Sequence, residues 1–582
     1  MREQYAWRSL VLAGILAFVG VSVILQIIRI QTSPEAATFR QQAAQYAETV
    51  QTFYPERGEI YDRNGHLLAG NETVFEIGVD LKNVKDKHAV ALAVGMELGL
   101  NPNELYRLMA NPPASLAYLI LANYVDSDKA LALQQLKIDA DEKAPLGQPS
   151  DLSGLEFTPH PQRTYPEGSL ASNVIGFVSR EGRGYFGIEE KYNDLLAGTP
   201  IQVQVPVDPN KAADIPQVPN GTTLILTLDR DLQAATEQIL DDSLTKYGAQ
   251  GGTIVIMDPR NGEILAMAST PRMDLNQFWN YPTIYRNASE FNLAVSMPYE
   301  PGSVMKILTM AAALDNNTVT PTTTFLDTGS ILIGGITIKN WNDQAWGLQD
   351  MLGCIQNSLN VCMSWISSQM GAQNFYGYMN RFGLGHLTGI DLADEAAGRL
   401  KVPGDTDWSP SDLGTNSFGQ GVAATPIQIM MAASAIANNG RMVMPHVLYA
   451  MVRDGRQFNV PAQYAGSPIS ERTAQTLDQM LATSIQNEAS LAAVPGYRIA
   501  GKTGTAQIPT EGGYDPTNTN ASFIGWGPLD DPRFMIYVWL EEPSASIWGS
   551  ETAAPVFAQV AQETILMLNI PPDTIRQQIA QH

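Results

Sequence analysis

The sequence predicts an α+β protein. One antiparallel sheet carries helices packed on it, behind a smaller strand-and-helix module and a single N-terminal membrane-spanning helix. Three observations carry that prediction. An uncharged apolar run fills Leu10 to Leu25. Short strands and helices alternate from Arg57 to about Pro219, broken by Pro- and Gly-rich joints. Beyond them, two apolar strands near Thr253 to Ala268 and three more after Tyr497 bracket a long helical stretch, the pattern of an α+β domain.

The N-terminal run comes first. Ser9 to Ile28 as a helix is about 30 Å long, enough for a hydrocarbon core. Arg2 and Arg8 precede it, which favours residues 1–8 as a cytoplasmic tail, 9–28 as the membrane helix and the rest outside. A cleaved signal peptide competes with this reading. Against it, the run is long and leads into Gln26, Arg29 and Gln31, with no small-residue cleavage site. Thr38 to Thr52 reads as a polar helix leaving the bilayer.

Composition excludes several classes. The 582 residues allow several domains, and 44% of them are apolar, an ordinary globular value. A net charge of −23 offers nothing to neutralise phosphates, so a nucleic-acid partner is not expected. Two cysteines cannot build a disulfide framework or a four-thiolate metal site. The six histidines are scattered, with no HExxH string, so a zinc hydrolase or a histidine-activated serine has little support. No metal or cofactor is expected. An outside protein has no supply of nucleotide, so ATP-dependent chemistry is not expected.

Residues 48–215 read as a structural pedestal. Arg57 to Ala69 contains Asn64-Gly65, a two-residue hairpin signal between apolar flanks. Ala89 to Leu98 and Ala130 to Leu136 read as helices, and Pro112-Pro113 and Pro145 to Gly154 as joints. Residues 248–568 read as the second domain. Thr253 to Met257 and Ile264 to Ala268 are strands joined by the turn Asp258 to Gly262. Ser303 to Leu314 is an apolar helix announced by Pro301-Gly302. Leu348 to Met370 is helical with a break near Asn357 to Asn360, and Pro426 to Asn438 is a further helix. Tyr497 to Gln507, Ala521 to Gly527 and Arg533 to Leu540 are strands, and Ala554 to Leu568 closes the domain.

Three strings in the second domain bear chemistry. Ser303 and Lys306 share one helix face, with Ser303 in a first turn whose free N–H groups favour negative charge. A serine hydroxyl needs a base. Lys306 can serve only when neutral, which asks its pKa to fall roughly 3 from about 10.4 through burial and a second cation such as Lys502. SxxK alone is weak, because Ser243-Leu244-Thr245-Lys246 matches it too at the end of a polar helix. Ser358-Leu359-Asn360 offers a hydroxyl for proton relay and an amide for a substrate amide, though the same residues make an ordinary helix break. Lys502-Thr503-Gly504-Thr505 lies in a glycine-bearing strand where an extended peptide can approach, or is simply an edge strand kept polar. Lys502 and Thr503 would take a carboxylate, and the N–H groups of Ser303 and Thr505 an oxyanion.

This ordered set resembles that of penicillin-binding proteins and β-lactamases. The chain as a whole resembles a class B penicillin-binding protein, a membrane-anchored peptidoglycan D,D-transpeptidase. Tyr299-Glu300-Pro301-Gly302-Ser303, Ser417 to Gly421 and Thr425 to Gln428 carry the likeness in the second domain. Arg57 to Ala69, Arg163-Tyr165-Pro166 and Gly187-Ile188-Glu189 carry it in the pedestal, the family's dimerisation-type module. The resemblance implies two-step acyl transfer. Ser303 would attack a stem pentapeptide and expel its terminal D-Ala, a neighbouring stem amine would take the acyl group, and β-lactams would trap the same serine. Lys306, Ser358 and Lys502 would be catalytic, and Asn360, Thr503, Gly504 and Thr505 would bind substrate. No glycosyltransferase signature is present, so the resemblance implies a SEDS-type membrane glycosyltransferase as partner, acting on lipid-linked precursor glycan. Asn360-Val361 leans toward the division type rather than the elongation type. A same-fold hydrolase and a non-catalytic scaffold are the rival readings.

Cys354 and Cys362 flank the second string. An unbroken helix would hold them about 12 Å apart, whereas a break at Asn357 to Asn360 would permit a disulfide; two buried thiols remain the alternative.

Overall fold

The computed structural model describes residues 3–33, 36, 48–53, 55–112, 116–206, 218–487, 490–510 and 513–580. They fall into two compact units. The first holds residues 1–56 and 198–220. Its helix runs Glu3–Thr32, and Leu10–Thr32 has a mean hydropathy of 2.6 with none of it buried, so it is long and apolar enough to cross a membrane. Glu48–Phe53 pairs antiparallel with Ile201–Pro206. The polar helix expected over Thr38 to Thr52 therefore gives way to strand at its C-terminal end, where Thr49, Val50, Thr52 and Phe53 favour extended chain. Residues 38–47 of that expectation lie outside the described residues.

The second unit holds residues 57–197 and 221–582. It opens with β1 (Ile60–Tyr61) and the long β2 (Leu67–Asp80), then α1 (Lys87–Leu98), α2 (Pro102–Ala110), β3 (Tyr118–Asp126), α3 (Ser127–Lys143) and β4 (Leu155–Thr164). β2 pairs with β3 on one side and β4 on the other. The hairpin expected at Asn64-Gly65 forms, but as a wider loop. The Asp62 carboxylate organises it, accepting from the N–H groups of Asn64 (2.9 Å), His66 (2.7 Å) and Arg230 (3.0 Å). The three pedestal strings noted in the sequence converge on one buried group. Glu189, with a side chain of 0% exposure, accepts from Arg57 Nε at 2.8 Å and from Arg163 Nε at 2.7 Å.

β5 (Thr223–Leu226) pairs parallel with β1 and antiparallel with β8 (Leu448–Arg453), which continues to β9 (Arg456–Asn459). A strand from the heart of the second domain thus extends the pedestal sheet, in the order β9-β8-β5-β1-β2-β3 with β4 also on β2.

A second sheet carries the site. It comprises β6 (Gly251–Met257), β7 (Ile264–Ser269), β10 (Ala500–Thr510), β11 (Gly513–Gly527) and β12 (Phe534–Glu541), in the order β7-β6-β12-β11-β10 with every pairing antiparallel. Alternation along β12 explains why its sequence reads as one apolar run. Phe534, Ile536, Val538 and Leu540 face one cluster, and Met535, Tyr537 and Trp539 the other. On the first face lie α4 (Arg230–Tyr247) and α10 (Ala553–Met567). On the second lie α5 (Lys306–Asp315), α7 (Asn360–Arg381) and α8 (Pro426–Ala437), with α6 (Met351–Gln356) before α7 and α9 (Glu471–Asn487) against β10. Thr425 starts α8 with a reciprocal capping box to Gln428, and Pro426 takes the first helical position. A final helix, Asp573–Ala580, follows.

Candidate active site

β10 lies at the sheet edge, as its lysine and glycines suggested. Lys502 is 5% exposed there, and its Nζ donates to Thr503 Oγ1 at 3.2 Å. Against this strand rests a single 3₁₀ turn, Gly302–Met305, which feeds directly into α5. Ser303 therefore precedes the α-helix, whereas the sequence reading had it inside the first α-helical turn. Gly302 has φ +58°, and a β-carbon on it would stand 2.9 Å from the Thr505 carbonyl oxygen, so the chain tightens before the helix can start. Gly504 faces the turn from the strand side. A β-carbon there would stand 2.1 Å from Ser522 Oγ and 3.1 Å from Val304 Cγ1. The glycine of the third string is thus what lets β10 lie close against the turn.

Lys306 is fully buried at the start of α5. Its Nζ donates to the Ser358 carbonyl oxygen (2.6 Å), to Ser358 Oγ (3.0 Å) and to Asn360 Oδ1 (2.7 Å). The first two strings therefore meet through the lysine. Asn360 opens α7, and its Nδ2 donates to the Lys339 carbonyl oxygen at 3.2 Å. Ser358 sits in the break with φ +52°, a left-handed conformation that serine rarely takes. The break is where the sequence located it, and Cys354 and Cys362 are bridged across it with their Cα atoms 6.0 Å apart.

The competing SxxK match lies elsewhere and is used differently. Ser243 Oγ donates to the Ile239 carbonyl oxygen within α4, and Lys246 lies over the Tyr247 ring before a left-handed Gly248 cap. It is ordinary helix-end decoration.

A loop behind the Gly302–Met305 turn completes the surroundings. Gly302 N–H donates to the Gly419 carbonyl oxygen at 3.2 Å, Gly421 N–H to Glu300 Oε1 at 2.9 Å, and Thr309 Oγ1 to the Ser417 carbonyl oxygen at 2.7 Å. Burial pushes the Glu300 carboxyl above its usual range.

The family models agree with this geometry. Residues 252–562 match the penicillin binding protein transpeptidase domain, and residues 52–215 the penicillin-binding protein dimerisation domain. The chain belongs to the class B penicillin-binding proteins, a family of peptidoglycan D,D-transpeptidases. It is 32% identical over 536 residues to stage V sporulation protein D of Bacillus subtilis, covering 89% of this chain and 79% of that one. It is 27% identical over 605 residues to a Mesostigma viride protein named peptidoglycan D,D-transpeptidase FtsI homolog, covering 98% of both. Among solved structures, penicillin binding protein 3 of Mycobacterium tuberculosis, complexed with aztreonam, superposes with a TM-score of 0.68 at 27% identity, covering 90% of this chain and 98% of that one.

Trp341, Trp548 and Tyr537, neighbours of the site in this family member, had no signal in the sequence. Trp341 Nε1 donates to the Asn357 carbonyl oxygen at 3.2 Å, and its ring meets Trp548 edge-on at 5.2 Å. Trp548 adjoins Gly549, whose N–H donates to Thr505 Oγ1 at 3.0 Å. The two indoles therefore link the wall bearing Ser358 to the wall bearing Thr505. Below the turn, the hydroxyls of Tyr299 and Tyr537 share a hydrogen bond, and burial drives both phenols upward. Nothing in the periodicity of these residues marks them, because the contacts join segments up to 238 residues apart.

Proposed function

We propose that this chain is a membrane-anchored D,D-transpeptidase that cross-links peptidoglycan stem peptides through a Ser303 acyl-enzyme and is trapped there by β-lactams. One observation carries the reading: a fully buried Lys306, on the same turn as Ser303, is held by Ser358 and Asn360. A neutral amine has two N–H groups and one lone pair. If the N–H groups go to the Ser358 carbonyl and Asn360 Oδ1, the lone pair accepts from a hydroxyl, Ser358 Oγ at rest and Ser303 Oγ in the reaction. Lys306 then serves as base toward Ser303 Oγ.

In the first step Ser303 Oγ bonds to the penultimate D-Ala carbonyl carbon and its proton passes to Lys306. The N–H groups of Ser303 and Thr505 stabilise the oxyanion. Ser358 Oγ hands its proton to the leaving amine and takes in exchange the one that Lys306 received, the scissile C–N bond breaks, and the terminal D-Ala departs. A stem amine from a second strand then attacks the ester, with proton transfers reversed. Lys502 and Thr503 receive the terminal carboxylate, and the Gly504 backbone flanks the peptide. The Asn360 amide, with one N–H committed to Lys339, keeps the other for a stem carbonyl. The N-terminal helix holds the enzyme in the cytoplasmic membrane with its N-terminus inside, beside a SEDS-type glycosyltransferase that supplies glycan from lipid-linked precursor.

Incubating the detergent-solubilised chain with fluorescent penicillin tests the proposal. A stable adduct is expected that is lost in Ser303→Ala, together with transfer of a stem peptide to an acceptor amine. An adduct that survives Ser303→Ala would defeat the assignment. Rapid steady-state β-lactam turnover would favour a hydrolase, and a total lack of adduct a scaffold.

A further inference from the structure

The Cys354–Cys362 disulfide closes directly over the second catalytic string, and its place has a consequence for the chemistry. Cys354 belongs to α6 and Cys362 to α7, both fully buried. Between them lie all three acceptors described above for Lys306 Nζ: the Ser358 carbonyl, Ser358 Oγ and Asn360 Oδ1. The lysine is thus gripped by a loop whose two ends are covalently joined.

The loop needs such a constraint. No glycine or proline lies between Gln356 and Asn360, so the break rests on Asn357, Ser358 and Asn360, residues that weaken a helix without forbidding it. The competing state is a continuous helix from Met351 to Met370, where Gly371 interrupts α7. In that state Ser358 would leave its left-handed conformation and turn away from Lys306, and the two cysteines would lie about 12 Å apart, beyond bridging range. The disulfide and the unbroken helix are mutually exclusive. The observed break is also held by the buried Leu359 side chain and by single hydrogen bonds. Leu359 N–H donates back to the Cys354 carbonyl oxygen (3.0 Å), Trp341 Nε1 reaches Asn357 O (3.2 Å), and Val361 N–H reaches Asn340 Oδ1 (3.2 Å). A residue in a sparsely populated conformation persists only where its surroundings enforce it.

We propose that Cys354 and Cys362 are positioning residues for the acyl transfer: their disulfide excludes the continuous helix and so holds Ser358 and Asn360 on Lys306. The proposal rests on the functional reading above. It predicts that the bond acts on the chemical step, since it holds groups that move protons and leaves β10, where the peptide is bound, untouched.

The test compares the oxidised full-length chain with Cys354→Ala/Cys362→Ala, measuring penicillin acylation as a first-order rate at saturation and a separate affinity. The expected result is a folded variant whose acylation rate falls about 10²-fold at little-changed affinity, with an altered pH–rate profile. An equal rate and an identical pH profile would overturn the proposal, as would a loss confined to affinity. If the double variant does not fold, wild-type protein refolded under a phosphine reductant, with both thiols free, gives the same comparison. Failure of the oxidised wild type to form a Ser303 adduct would instead sink the underlying functional reading, which keeps the two outcomes apart.

Discussion

Lys306 and Ser358 are joined twice: one lysine nitrogen lies 2.6 Å from the serine carbonyl oxygen and 3.0 Å from its hydroxyl. The double contact is made with Ser358 in a left-handed backbone conformation. The amine of Lys306 is thereby fixed by backbone geometry as well as by side chains.

Lys306→Met keeps the length of the side chain and removes the amine. Acylation by penicillin is expected to fall by about 10²- to 10⁴-fold, the usual contribution of a positioned base. Stability should fall by only about 1–3 kcal/mol, because the acceptors on Ser358 and Asn360 lose a donor. Thermal melting and acylation rate, read on the same preparation, separate the two effects. An acylation rate near wild type would remove Lys306 from the proton-transfer role.

Ser358→Gly and Ser358→Ala make a discriminating pair. Both delete the hydroxyl, so both should acylate about 10²-fold more slowly. Only glycine relieves the left-handed backbone, which costs an ordinary residue roughly 1 kcal/mol. The glycine variant should therefore melt above the alanine variant while being no more active. Equal melting temperatures would mean that the backbone there is unstrained, and retained activity would exclude the relay.

Gly504→Ala places a β-carbon 2.1 Å from Ser522 Oγ and 3.1 Å from Val304 Cγ1. β10 must shift from the Ser303 turn, with an expected loss of about 1–3 kcal/mol and of about 10²-fold in acylation rate. Ser522→Ala removes the nearer obstruction. The double variant should consequently lose less than the sum of the singles, a coupling between residues in contact. Strict additivity would argue against steric displacement of the strand.

How far the sequence foretold this site depended on the range of each interaction. The glycine-framed edge strand, the break around Ser358 and the helix start after Gly302 are local, and turn or strand chemistry announced each. Ser303 was read as α-helical although it sits in a 3₁₀ turn, because that tightening comes from β10 pressing on Gly302, a contact across about two hundred residues. The bridge between Cys354 and Cys362 stayed undecided for a related reason: it depends on how sharply the helix breaks, which residue spacing does not state. In the pedestal, Arg57, Arg163 and Glu189 stood out as separate strings, but only the fold shows that they are one buried ion cluster.

Asp478 provides a test remote from the chemistry. It lies on α9, 8% exposed, and accepts a hydrogen bond from Trp526 Nε1 at 2.9 Å. Burial pushes its carboxyl up to about 8, against an ordinary value of 3.8. Between those two values the folded protein keeps a proton that the unfolded chain releases. Stability therefore falls as pH rises through that window, by about 1.4 kcal/mol per unit, and levels off above it. Asp478→Asn stays neutral at every pH and retains an acceptor for Trp526. The variant should match wild type below about pH 4 and melt well above it at pH 8, with the gap widening steadily between. Since other groups titrate equally in both proteins, the difference between the two melting curves isolates this carboxyl. Parallel curves across pH 5 to 8 would mean that Asp478 is ionised in the folded state.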